Sequence, residues 1–292
     1  MHPIDMAASS NAAYPVRTLR EMVTALEAAI TLTVAEAKPK SVHKLRTTTR
    51  RIEAQLELLA LVPNLPDHGQ PAKKAKKLLK GLRRQAGRVR DLDVQRKLTK
   101  GQPPRLEKEA RHLRKTFKRQ RKDEADDLLG ALEKYQPKLT RALEALLDAL
   151  GPAEDLTVPA PQLIELTLRW YRHNVPVTPP QDADQLHAVR KSAKLARYMA
   201  ESASPAQKSA KSNAARLARI FESLQQSGGD WHDWLTLSQI AGREFGSSSQ
   251  LTRSFTGQCE KSLAAYQRRL KSLSRTLATI APDTTASARP PA

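Results

Sequence analysis

The sequence predicts an all-α protein: two four-helix bundles related by internal duplication and approximate two-fold symmetry. Three observations lead there. Apolar residues recur at spacings of three and four along most of the chain, the period of an amphipathic helix. Glycine (11 residues) and aromatic residues (4%) are scarce, and alternating strand patterns are few. One basic pattern is also written twice. Ser41-Val42-His43-Lys44-Leu45-Arg46-Thr47-Thr48-Thr49-Arg50-Arg51 returns 144 residues later as Gln185-Leu186-His187-Ala188-Val189-Arg190-Lys191-Ser192-Ala193-Lys194-Leu195. Both copies read His-x-x-Arg-x-x-x-Arg/Lys.

The elements follow in order. A first helix over about 16–38 has Leu19, Val23, Leu26, Ile30 and Val34 as its seam. Pro39 separates it from a second, about 41–61. Pro63, Pro66 and Pro71 mark a loop. A third helix starts near Ala72 and carries Leu78, Leu79, Leu82, Ala86 and Val89, with a bend or restart expected at Asp91-Leu92-Asp93. Pro103-Pro104 ends it. A long basic helix covers about 105–135, and Pro137 opens a shorter one to Leu150, because proline is accepted at helix starts and disfavoured inside. Residues 151–161 read as a linker.

The pattern then recurs: a helix over about 161–174, a Pro-rich loop 175–182, a helix over 183–202, and another after Ser204-Pro205 carrying Leu217, Ile220, Phe221 and Leu224. Gly228-Gly229 is read as a break before 230–245, and a last helix runs to about Ile280. At an offset of 142, Leu78, Leu79 and Leu82 match Ile220, Phe221 and Leu224, Gly87 matches Gly229, and Arg90-Asp91 matches His232-Asp233. A duplicated four-helix unit explains these matches, four amphipathic helices being a natural closed core. The predicted organisation is thus a disordered start (1–14), a first bundle (15–150), the linker (151–161), a second bundle (162–281) and a disordered tail (282–292).

The charge is unusual. Fifty Lys and Arg against 30 Asp and Glu give +20, of which +14 falls in residues 1–150. Such an excess repels itself and attracts polyanions. Residues 73–90 hold nine basic residues and no acid, and residues 105–122 hold nine more with only Glu107 and Glu109. The acidic partners that a solvated helix face carries at i,i+4 are mostly missing. On a helical wheel His43, Arg46 and Arg50 fall within about 60° of one another, opposite Leu45, Ile52, Leu56 and Leu59. In the second copy His187, Arg190, Lys191, Lys194, Arg197 and Tyr198 lie opposite Val189, Ala193, Ala196 and Ala200. Two stripes of one histidine and two cations suit a ligand with many negative charges. The residues alone leave two roles open for His43 and His187: ligand contact, or capping and packing at a helix start.

These residues resemble the CHAD family, the conserved-histidine α-helical domain. The resemblance rests on Val42-His43-Lys44-Leu45-Arg46 with Arg50-Arg51, and on Gly87-Arg88-Val89-Arg90-Asp91-Leu92-Asp93-Val94. Leu186-His187-Ala188-Val189-Arg190-Lys191 with Lys194-Leu195 and Arg197-Tyr198, and then His232-Asp233-Trp234, complete it. Together they span most of residues 15–280. The family implies two bundles whose basic helices line a groove or pore that binds inorganic polyphosphate without catalysis. Carried over by motif, the implied contacts are His43, Arg46, Arg50, Arg51, His187, Arg190, Lys191, Lys194 and Arg197, with Arg83, Arg84 and Arg90 from the adjoining helix. The second copy departs from the first: Glu222, Gln225 and Gln226 stand where Lys80, Arg83 and Arg84 stand, so the first half is expected to hold the ligand more firmly.

Other chemistry lacks its residues. Glu107-Lys108-Glu109 sits in a helical pattern, unlike the strand motif of the triphosphate tunnel enzymes to which some CHAD domains are fused. Glu109-x-x-His112 is half of a di-iron motif with no second half. Cys259 is the only cysteine and brings no zinc set. No phosphate loop or nucleophile elbow is present. The sequence therefore calls for no enzyme activity, no cofactor and no metal. No apolar run of 18 residues and no basic-then-apolar leader is found, so the expectation is a cytoplasmic protein without a membrane span, placed at polyphosphate granules where these form. A nucleic-acid-binding helical protein is the alternative that the same charge supports, with few aromatics for stacking and no recognisable reading module against it.

Overall fold

The computed structural model describes residues 12–175, 180, 182–203 and 212–280. The expectations for 1–11, for most of the 175–182 loop, for the stretch after Ser204-Pro205 and for the tail 282–292 lie outside the described residues. The fold is all-α. Among the described residues eight α-helices follow one another: α1 (Pro15–Ala35), α2 (Pro39–Leu59), α3 (Gly69–Leu98), α4 (Pro104–Leu150), α5 (Ala160–His173), α6 (Ala183–Ser202), α7 (Asn213–Phe245) and α8 (Gln250–Ala278). The only strands among the described residues are β1 (Ala12–Ala13) and β2 (Val158–Pro159), which pair antiparallel. They tie the start of the chain to the segment between α4 and α5, and Arg20 adds a two-pronged ion pair to Glu154 at 2.9 and 3.0 Å. Residues 12–14, read from composition as part of a disordered start, are thus held in place, with Ala13 buried.

The helix starts differ between the two halves. α1, α2 and α4 open on proline in the first turn, where its missing N–H costs nothing. α6, α7 and α8 open on side-chain caps: Asp182 accepts from the Gln185 amide, Ser212 from Ala215, and Ser249 from Leu251 and Thr252.

Three helix interruptions expected from sequence do not occur. α3 runs through Asp91-Leu92-Asp93 without a break, because buried Asp93 is neutralised in place by Arg121 at 3.0 Å. α4 is one helix of 47 residues with Pro137 inside it. Pro137 and Glu133, whose carbonyl loses its partner, both sit on the exposed face, so water can satisfy the carbonyl while buried Leu132 and Leu139 hold the two flanks. α7 runs through Gly228-Gly229. Gly228 is there for space: a Cβ would come within 2.9 Å of the Tyr266 ring and 3.1 Å of Arg190 Cγ, whereas one on Gly229 meets nothing within 4 Å.

Three cores organise the packing. The first gathers Leu19, Leu26, Leu45, Ile52, Leu79, Leu82, Leu132 and Leu146 from α1–α4. The second gathers Leu163, Tyr171, Val189, Ala193, Phe221, Trp231 and Tyr266 from α5–α8, and also Ala54 and Leu58 from α2. The third joins Leu106, Ala110, Leu113 and Phe117 on α4 to Leu237 and Ala241 on α7 and to Leu251 and Phe255 on α8. Two of the three cores therefore cross between the first four helices and the last four. α4, about 70 Å long at 1.5 Å per residue, spans both. Helices of the first four pack against helices of the last four: α2 on α6, α3 against α7, and α4 against α8. Glu57 accepts from the Trp170 indole at 3.3 Å, and His112 pairs with Glu244 at 2.8 Å across the same divide.

The two adjacent glycines of α7 give a paired test. Gly228→Ala forces Tyr266 and Arg190 aside and is expected to cost about 1–3 kcal/mol. Gly229→Ala, with open space around it, is expected to gain about 0.5–1 kcal/mol from helix propensity. Urea midpoints of the two variants measure the difference.

Candidate anion-binding site

The packing of α2 on α6 brings the two repeated stripes together. Each carries a histidine at i and basic residues at i+3 and i+7, and the outer face of each wheel turns toward the other helix. On α6, Lys194 feels Arg50, Arg190 and Arg46 as its nearest cations. Arg190 in turn feels Arg46, together with Asp233 and Asp91. His43 sits among Arg90, Arg46 and Lys194. Four cations, two from each helix, therefore share one site, with Arg90 and Asp91 supplied by α3 and His232 and Asp233 by α7.

Both arginines lie over a glycine, and at Arg190 the glycine is needed for space. The Arg46 side chain lies over Gly87, whose Cβ would stand 3.6 Å from Arg46 Nε, and the Arg190 stem lies over Gly228. The two arginines are thus seated alike, each on a glycine of the following helix. The sequence match of Gly87 to Gly229 is off by one: the glycine that performs the same task is Gly228. Tyr266 closes the floor, its hydroxyl donating to the Leu186 carbonyl at 3.0 Å.

The site is short of counter-charge. The one carboxylate within ion-pair distance of these four cations is Asp91, 3.9 Å from Arg46, at the limit of an ion pair; none pairs with Arg50, Arg190 or Lys194 among the described residues. The Nε atoms of Arg46, Arg50 and Arg190 are buried without a hydrogen-bond partner. An orphaned buried donor costs about 1–3 kcal/mol, so three of them in one place mark somewhere that an acceptor-rich ligand can go.

Titration behaviour follows from burial and crowding. Burial first, then Arg50, Arg190 and Arg46, bring Lys194 down to about 6. Burial and the neighbouring arginines lower Arg50 to about 10. His187 falls to about 4, chiefly by burial and then by Arg190 and Lys191, and its Nδ1 accepts from Arg190 at 3.3 Å. His232, with its ring centroid 4.8 Å from that of His187, also falls to about 4 for the same reasons. His43 is lowered as well. Burial raises Asp233 to about 6 against the pull of Arg190. At neutral pH the histidines are neutral, each able to donate one hydrogen bond to an anion.

Not every implied contact lies free in this site. Arg83, only 12% exposed, is held by Glu53 at 2.9 Å. Arg197 is held by Glu201 at 2.8 Å and Glu222 at 3.0 Å, and Arg51 by Glu201 at 3.1 Å, both against the Tyr198 ring. Arg197 stands 144 residues after Glu53 and, like it, forms an ion pair with the next helix, but through Glu222, which matches Lys80 and not Arg83. Lys191 is exposed beside His187 and His232, and Arg84 is exposed on α3 with no ion pair among the described residues. The site also includes residues outside the sequence-based set. His232 and Asp233 carried a signal, since the repeat aligned them with Arg90-Asp91. Tyr266 carried none.

The family model of the CHAD domain matches residues 17–241. The chain belongs to the CHAD family. Among solved structures, the crystal structure of the CHAD domain from the plant Ricinus communis superposes with a TM-score of 0.61 at 18% identity, covering 93% of this chain and 92% of that one. PptA from Streptomyces chartreusis superposes with a TM-score of 0.58 at 16% identity, covering 90% of this chain and 99% of that one. At these identities the likeness is one of fold. No curated protein matches the sequence. Within this CHAD domain no group of three or more His, Cys, Asp or Glu side chains is placed to hold a metal among the described residues, and no described helix is long and apolar enough to cross a membrane.

The forced closeness of cations predicts a stability cost. The folded pKa of Lys194, about 6, lies below the ordinary lysine value of about 10.4. The unfolded chain therefore binds the extra proton between those limits, and stability rises with pH across that window. Lys194→Met is expected to raise the stability of the ligand-free protein at pH 7 by about 0.5–2 kcal/mol and to flatten that rise. Urea denaturation at a series of pH values from 6 to 9 checks both, the window being set by the Lys194 shift.

Proposed function

We propose that this CHAD domain binds inorganic polyphosphate in the cationic site between α2 and α6, as a binding module rather than a catalyst, and that this binding places it at polyphosphate granules. The observation that carries the reading is the set of buried, unpartnered Nε donors on Arg46, Arg50 and Arg190, in a cluster with hardly any counter-charge. A chain of phosphates supplies acceptor oxygens to each guanidinium fork and charge to Lys194 at once. His43, His187 and His232, neutral in the free protein, can each add one hydrogen bond. Family membership and the net charge of +20 support the same ligand class. The duplication of a four-helix unit, with its two-fold relation, gives the reason why both helices carry the same stripe.

Nucleic acid presents phosphates as well, but its bases would find few rings. Trp170 and Trp231 are buried in the second core. Competition separates the two ligands: polyphosphate is expected to displace DNA and RNA at equal phosphate concentration, and displacement in the other direction would sink the proposal.

Substitutions should sort by counter-charge. Arg46→Gln, Arg50→Gln and Arg190→Gln are each expected to weaken polyphosphate binding about 10- to 100-fold, the worth of a charge-assisted hydrogen bond. Arg197→Gln and Arg51→Gln, whose side chains are paired with Glu201 and, for Arg197, with Glu222 as well, should change affinity little. Equal losses at all five positions would overturn the site assignment. Titration by calorimetry or fluorescence at fixed salt measures them.

Binding should also take up protons. A polyanion raises the Lys194 pKa above its free value of about 6, so affinity increases as pH falls from the bound value toward 6. Calorimetry in buffers of different ionisation enthalpy reads the uptake directly, and net proton release at pH 7 would contradict the site.

A further inference from the structure

We propose that Lys194 is a modification site, whose ε-amine takes the acyl group of a small acyl phosphate held by the guanidinium groups around it. The inference rests on the anion-binding reading above and adds a covalent consequence to it.

Lys194 is half-buried where α6 packs on α2, and Arg50, Arg190 and Arg46 are the cations nearest to it. Asp233 faces it from α7, and His43 and Asp91 sense its charge from α2 and α3. His187 on its own helix and His232 on α7 sense it too. No carboxylate forms an ion pair with it among the described residues. An arginine cannot shed its proton under conditions a protein meets. In a cluster of three guanidinium groups and one amine, the repulsion can therefore be relieved only at the amine.

Lys194 falls to about 6 for this reason, so the free amine prevails at pH 7.5. An ordinary lysine is only about 0.1% free amine at that pH. Lower basicity takes back part of the advantage: with a Brønsted slope of about 0.4–0.5, as thiols show, a gain of roughly a thousandfold in free amine shrinks to about tenfold in rate. The second contribution is positional. The orphaned Nε donors of Arg46, Arg50 and Arg190 can hold a phosphate group beside the amine, and a held reactant attacks faster than a free one. Lys73, Lys74 and Lys77 lie on the exposed face of α3, outside this cluster.

The step balances without a further reactant. The Lys194 Nζ lone pair forms a bond to the acyl carbon, and the carbon–oxygen bond to phosphate breaks. The bonding pair leaves on the phosphate oxygen, and the amine proton passes to it, giving an amide and hydrogen phosphate. The amide has no charge, so a modified site binds polyanions more weakly. A bound polyphosphate chain covers the amine and prevents the reaction.

The test uses the full chain, acetyl phosphate, and a neutral acetyl ester in parallel, with and without long-chain polyphosphate at pH 7.5. Acetylation is read lysine by lysine by peptide mass spectrometry. With acetyl phosphate, Lys194 is expected to react about tenfold or more faster than Lys73, Lys74 and Lys77. Its preference over them should be larger with acetyl phosphate than with the neutral ester, and polyphosphate should suppress it. Reaction of Lys194 no faster than that of Lys73, or the same preference with both reagents, overturns the proposal. Tight polyphosphate binding with Lys194 left unmodified by acetyl phosphate alone defeats this inference and leaves the binding function standing. Fast, selective modification without polyphosphate binding or protection does the reverse.

Discussion

Three guanidinium groups and an amine, packed together with hardly any counter-charge, are the constraint on which the rest of this structure depends. Arg46 and Arg50 from α2 meet Arg190 and Lys194 from α6 with one weak carboxylate contact between them. Repulsion among them must be offset elsewhere. It is offset by α2 having two buried faces, with Leu45, Ile52 and Leu56 in the first core and Ala54 and Leu58 in the second. It is offset again by α4 and the third core, which clamp the far ends of the two halves together. Gly228 lets the Arg190 stem lie flat on α7, where a Cβ would stand 3.1 Å from its Cγ, and the Arg46 guanidinium rests over Gly87 on α3.

This arrangement stores the potential for binding in the ligand-free state. The usual outcome of a buried positive group is a carboxylate beside it, and the protein does that with Arg83, Arg121 and Arg197. Leaving Arg50 and Arg190 unpaired, with their Nε donors unsatisfied, is the exception. The contrast lies in the tertiary structure, not in the overall charge surplus. Much of the excess in the first half sits on exposed positions of α3, such as Lys73, Lys74, Lys77 and Lys80. The site itself draws two cations from each half.

Much of the fold was legible in the sequence because helical periodicity and proline placement are local. The bounds of α6, the opposition of the His43 stripe to Leu45, Ile52 and Leu56, and Leu19, Val23, Leu26 and Ile30 of the α1 seam all follow from spacing; Val34, read as the end of that seam, is 52% exposed, and Thr33 is buried there instead, its hydroxyl donating to the Ala29 carbonyl. What was not legible depends on distant partners. Asp93 looked like a helix restart, and only Arg121 shows it to be a paired core residue. Pro137 looked like a boundary, and the flanking leucines carry α4 through it. Gly228-Gly229 looked like a break, and the nearness of Tyr266 shows Gly228 to be a close-packing position. Within the site, Arg51, Arg83 and Arg197 read as free cations because Glu201, Glu53 and Glu222 are assigned to them by the fold alone.

The central claim is that the orphaned guanidinium donors are where the polyanion sits. Arginine side-chain NMR reads them individually. On adding long-chain polyphosphate, the Nε–H signals of Arg46, Arg50 and Arg190 should shift and become protected from exchange with water, while that of Arg197, already donating to Glu201, stays as it was. Tight binding that leaves those three signals unmoved would contradict the account.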